Sequence, residues 1–141
     1  NLYLQSLEYY KSTTNNGLKE VSKKKLNGVE KIAYVFDEVI NHLIKNPNDN
    51  GCLMVNAAAE MSKQCDKTSQ VICNNKEEVE GLFNMWVEEK KKKKIVTLSK
   101  PSKSYGQFLF NTLCGLKVMS QSGATKSELN NIVKISIDAL N

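Results

Sequence analysis

The stretch from Pro101 to Leu140, PSKSYGQFLFNTLCGLKVMSQSGATKSELNNIVKISIDAL, reads as two helices joined by a tight break. Between Tyr105 and Ser122, one apolar stripe holds Leu109, Leu113, Leu116 and Met119. A second holds Phe110, Cys114 and Val118, with Phe108 between the two. A helix in a small monomer needs one apolar stripe, and a helix apolar nearly all round is covered on most sides. The spacing therefore predicts that a second copy of the chain covers the other side, giving a homodimer.

The same periodicity predicts four more helices upstream. Leu2 to about Lys24 forms the first, weakened in its middle by Thr13–Asn16 and Gly17. The chain breaks around Leu26-Asn27-Gly28. Val29, Ile32, Ala33, Phe36, Ile40 and Leu43 then recur at helical spacing to about Lys45. Asn46-Pro47-Asn48-Asp49-Asn50-Gly51 is a turn. Cys52 to about Lys63 is a short helix, apolar on most sides. Asp66 reads as the N-cap of a fourth helix with the stripe Ile72, Val79, Leu82, Phe83 and Trp86. That helix ends in Lys90–Lys94, which suits the negative end of a helix dipole. Ile95 to Lys100 is a connector. Pro101 fits the first turn of the fifth helix, which ends near Gly123. Thr125-Lys126-Ser127-Glu128 is a capping box opening the last helix, which carries Leu129, Ile132, Val133, Ile137 and Leu140. No strand pattern or internal repeat appears. The predicted fold class is all-α, with about six helices in one domain over residues 1–141.

Composition narrows the function. The hydrophobic fraction of 40% fits a globular chain rather than a disordered one. No apolar run is long enough to span a membrane. All 20 basic residues are lysine, and the net charge is +5. Arginine is the preferred residue for bidentate reading of guanine or phosphate, so its absence argues against base reading by this chain. The lysines read as solvated surface, including the run Lys90–Lys94. Cys52, Cys65, Cys73 and Cys114 show no Cys-x-x-Cys spacing, and His42 is the one histidine. His42 with Glu38 does not supply a metal set, so no metal is expected. No nucleophile–base order or Gly-rich phosphate loop appears, so neither an enzyme nor a cofactor is expected. A reduced cytoplasmic setting follows from the cysteine usage.

Three segments carry a family resemblance. They are Leu2-Tyr3-Leu4-Gln5-Ser6-Leu7-Glu8-Tyr9-Tyr10, Gly51-Cys52-Leu53-Met54-Val55-Asn56-Ala57-Ala58-Ala59-Glu60, and Leu113-Cys114-Gly115-Leu116-Lys117-Val118-Met119 with Gly123. In this order they resemble the C-terminal, ligand-sensing domain of TetR/AcrR-family bacterial transcriptional regulators. The resemblance implies a dimer through the last two helices, which form a four-helix bundle between subunits. It implies a small, mostly apolar effector among the central helices. It also implies a DNA-binding helix-turn-helix upstream of Leu2, outside this chain, so that DNA contact belongs to a parent protein. Effector binding then moves the linker helix and releases the operator.

Candidate residues follow. Leu109, Leu113, Gly115, Leu116 and Met119 of the fifth helix, with Leu129, Ile132, Val133 and Ile137 of the sixth, are expected at the dimer interface. Phe36, Phe83, Met85, Trp86, Phe110 and Cys114 read either as pocket lining or as ordinary core. Asn56, polar within an apolar helix, reads as a ligand contact or a helix-to-helix bond. Glu60, one turn on, reads as a ligand contact, a structural bond or an exposed residue. The alternative to a sensor is a structural helical dimerisation module with a filled core and no ligand.

Overall fold

Two capping boxes and two close-packed glycines set the arrangement of the helices. The Asn27 side chain accepts from the backbone N–H of Glu30 at 2.9 Å, and the Glu30 carboxylate accepts from the N–H of Asn27 at 3.2 Å. Thr125 and Glu128 repeat the pattern at the start of the last helix. Each box satisfies donors that a helix start leaves unpaired.

The computed structural model describes residues 2–46, 53–60, 66–92 and 98–141. These residues are all-α, in six helices: α1 Leu2–Ser22, α2 Gly28–Lys45, α3 Leu53–Glu60, α4 Asp66–Lys92, α5 Ser102–Gln121 and α6 Lys126–Asp138. Pro101 stands at the N-cap of α5 rather than in its first turn. After α5, Gly123 takes a φ of 92°, the left-handed conformation glycine adopts without strain. The expected turn at 47–51, residues 61–63 of the third helix, Lys93 and Lys94 lie outside the described residues. So do Cys52, Cys65 and the Glu60 side chain.

α4 is central and packs against α1, α2, α3 and α5, most extensively against α5. Gly28 opens α2 directly against the Trp86 backbone, where a Cβ would overlap the Trp86 carbonyl. A Cβ on Gly106 would lie 2.6 Å from the Glu80 carbonyl oxygen, so α5 also approaches α4 through a glycine.

The apolar interior forms two separate clusters. The larger joins Leu18 and Val21 of α1 to α2, α4, α5, α6 and Leu140. Phe36, Phe83 and Trp86 lie at its centre, with Phe36 and Phe83 stacked at 5.9 Å and Phe83 edge-on to Trp86 at 5.8 Å. The smaller holds Leu7, Met54, Ala57 and Val71, joining α1, α3 and α4.

The structure corrects the expected role of the first α5 stripe. Leu109, Leu116 and Leu129 have no exposed surface, and Leu113 and Val133 are buried within the chain. Ile132 and Ile137 pack against the same core, partly buried. α2 and α4 cover these side chains, because both helices lie against the α5–α6 pair. Met119 remains exposed, with Phe108 and Val118 on α5 and Ile135 on α6. The lysine run is also less solvated than its composition suggests. Lys90 donates to the Leu140 carbonyl and to Asn141 Oδ1, and Lys91 donates to the Lys100 carbonyl at 2.8 Å.

A polar clasp holds the middle of α1 to α4. Lys11 Nζ lies 3.0 Å from Glu78 Oε1, and Asn15 Nδ2 donates to Glu78 Oε2 at 2.6 Å. Desolvation raises the Glu78 pKa. Hydrogen bonds from Lys11 and Asn15 and the charges of Lys11 and Lys19 outweigh it, leaving the pKa below the ordinary 4.5.

Two outcomes follow. Gly28→Ala forces α2 off α4 and lowers stability by about 1–3 kcal/mol or more, read as a fall in denaturation midpoint. Glu78 is more acidic folded than unfolded, so its contribution is present above pH 4.5 and disappears as pH falls through the lower folded value. Thermal melts of Glu78→Gln should therefore lose less stability than the parent chain on acidification below pH 4.5.

Candidate ligand chamber and groove

Where the two clusters fail to merge, the chain forms a partly open chamber of about 290 Å³. Five helices line it. α1 supplies Tyr10, Thr14 and Leu18, and α2 supplies Val35 and Val39. α3 supplies Met54, Val55 and Ala58, while α4 supplies Ile72, Asn75, Lys76 and Val79. Phe110, Leu113, Cys114 and Lys117 of α5 complete the wall. Leu18, Val35, Val79 and Leu113 belong to the larger cluster, whereas Met54 belongs to the smaller. The chamber is thus the seam between two packed cores, close to the lower end of the size range of ligand sites, about 300–1,000 Å³.

A wider groove of about 860 Å³ adjoins it, sharing Tyr10, Thr14, Leu18, Val35, Val39 and Lys117. α1 and α2 form its long walls, with Asn56 of α3 reaching its lining. Its charges are mixed: Glu20, Lys24, Glu38 and Lys117 all contribute, and His42 also lines it. Lys24 lies over the Tyr34 ring at 4.8 Å, a cation–π contact within the groove wall.

Of the expected pocket residues, Phe110 and Cys114 line the chamber, and Asn56 lines the groove. Phe36, Phe83 and Trp86 line neither cavity. The correction is physical: their stripe on α2 and α4 faces the larger core, where each has lost almost all exposure. Trp86 also donates its indole N–H to Ser22 Oγ at 3.1 Å, which satisfies its polar atom without a ligand. Met85 is 48% exposed and lies on the outer face of α4. Of the second apolar stripe of α5, Phe110 and Cys114 line the chamber, while Val118 is 45% exposed.

Asn75, Thr14, Tyr10 and Lys117 were not singled out from the sequence. Asn75 carried a readable signal, because it interrupts the α4 stripe between Ile72 and Val79 at helical spacing. Thr14 carried less: its hydroxyl donates to the Tyr10 carbonyl at 2.9 Å, as a threonine within a helix commonly does. Among the described residues no group of three metal-ligating side chains converges, and no helix is long and apolar enough to cross a membrane.

No protein-family model, curated protein or solved structure matches the chain.

The chamber and the core respond differently to substitution. Cys114→Leu adds volume at a partly exposed wall position and changes the melting temperature little. Leu116→Ala opens a cavity in a filled region and costs about 2–5 kcal/mol. Equal losses in the two variants, compared by chemical denaturation, would show that the chamber is packed as tightly as the core.

Proposed function

We propose that this chain is the effector-sensing and dimerising domain of a TetR-like bacterial transcriptional regulator, a repressor. The observation that carries the reading is the partly open, largely apolar chamber at the seam of the two cores. A small, mostly apolar molecule fills it and lowers the operator affinity of the parent protein. For that coupling the ligand must bind one of two conformations more tightly than the other. The family resemblance supplies the route: α1, which forms one wall of the chamber, corresponds to the helix leading to the DNA-binding head. DNA is contacted through that head only, the setting is cytoplasmic, and the membrane has no part.

The homodimer rests on the outer face of α5 and α6. Phe108, Val118 and Met119 are each more than 40% exposed, and Ile135 is 71% exposed. Gly115 stands between Phe108 and Met119 on the same side of α5, and a Cβ there meets nothing within 4 Å. Two copies crossing at Gly115 bring these side chains together as a four-helix bundle. The alternative, a structural dimerisation module with no ligand, is favoured by the filled core around Phe36, Phe83 and Trp86.

Native mass spectrometry of the gently purified chain tests the reading. A dimer carrying extra mass supports the sensor, and a dimer that binds none of a broad lipophilic panel supports the structural module. Gly115→Leu is expected to weaken dimerisation at least tenfold by sedimentation, about 1.4 kcal/mol. It should also leave the monomer fold intact, because helix propensity favours leucine over glycine. Unchanged dimer affinity would remove Gly115 from the interface.

A further inference from the structure

The chamber has a chemical polarity that an apolar effector alone does not explain. Asn75 lines it at 7% exposure, and its amide makes no side-chain hydrogen bond with any described residue. Buried amides are almost always paired, and this one offers two donors and an acceptor. Asn15, the other buried asparagine, donates its Nδ2 to Glu78 but lies away from the chamber, and its Oδ1 has no partner. An unpaired amide in a cavity wall marks the point where a bound molecule completes the bonding.

The surrounding charge is one-sided. Among the described residues, Lys76 and Lys117 line the chamber and no carboxylate does, whereas the adjoining groove also carries Glu20 and Glu38. Lys76 pairs with Glu80 at 3.1 Å along α4, which offsets part of its charge. Lys117 brings a second ammonium from α5 to the place where chamber and groove meet. Most of the remaining wall is aliphatic or aromatic. At roughly 30 Å³ for each heavy atom, by analogy with the volume of a water molecule, the chamber of about 290 Å³ holds about ten.

We infer that the chamber takes an amphiphilic monoanion, an aliphatic chain of about eight carbons ending in one carboxylate. The carboxylate accepts from Asn75 Nδ2 in the field of Lys117 and Lys76, and the chain lies against the aliphatic wall. A charged acceptor forms a stronger, shorter bond to an amide N–H than a neutral one does. Sign and hydrogen bonding thus select the same head group. This inference rests on the reading of the chamber as a ligand site and adds the chemical class.

Isothermal titration of the chain with octanoate, 1-octanol and octylamine tests it. Octanoate is expected to bind about tenfold tighter than either of the others. Asn75→Leu should reduce that preference while 1-octanol still binds. Asn75→Asp keeps the side-chain shape, serves where the leucine variant does not fold, and should turn the preference toward octylamine. If 1-octanol or octylamine matches octanoate in the parent chain, the anion assignment is overturned; if both variants keep the octanoate preference, Asn75 is not the head-group contact and the inference is overturned at that residue, and in either case the chamber remains a ligand site. If none of the three binds the parent chain, this inference is overturned, whereas the sensor reading falls only if the broad lipophilic panel also yields no ligand.

Discussion

The backbone of α4 at Trp86 is the point on which the packing turns. Gly28 rests against the Trp86 carbonyl, so α2 begins in direct contact with the α4 main chain. The Trp86 indole reaches the other way and donates to Ser22, the last residue of α1. Phe83, one turn earlier, lies edge-on to Trp86 and stacks on Phe36 of α2. The end of one helix and the start of the next are therefore fixed against a third. Lys31 of α2, itself buried, adds an ion pair to Glu89 at 3.3 Å on the same stretch of α4.

Packing is less complete at the other end of α4. Val71 belongs to a small cluster with Leu7, Met54 and Ala57, and this cluster does not join the larger one. The described part of α3, Leu53–Glu60, presents small side chains at Ala57 and Ala58. Three large aromatics pack together around Trp86, while the seam is lined by a mixed set that includes Ala58, Thr14 and a polar Asn75. Close packing is the normal condition of a protein interior, so the chamber has a local cause in which residues face it.

The six helices were legible because their apolar spacing is strong and their breaks are chemically marked. Thr125–Glu128 announced α6, and the break at Asn27-Gly28 announced α2, although its capping box with Glu30 went unread. The partners of each face were harder to read. Periodicity shows that Leu109, Leu113 and Leu116 share a stripe. It cannot distinguish another copy of the chain from α2 and α4 as the cover, because both present the same apolar surface. The aromatics misled for a related reason: Phe36, Phe83 and Trp86 are the largest apolar groups, and large groups fill space rather than leave it. Asn56 and Asn75 were better pointers, since a polar side chain in an apolar stripe has to be satisfied by something. Lys117 gave no signal, because a lysine near a helix end usually reads as surface.

The bond between Ser22 and Trp86 also has a mechanical side. α1 is 21 residues long and ends at that bond, which makes the bond a natural fulcrum. At ~1.5 Å per residue, Tyr10 and Thr14 stand about 18 and 12 Å from it, and Leu2 stands about 30 Å away. If α1 tilts as a rigid rod about this fulcrum, a given lift at the chamber wall is magnified about two-fold at Leu2 by that ratio of arms. The gearing is set by where the cavity lies along the rod, so the same ligand volume placed nearer Ser22 would produce a larger swing for a smaller opening.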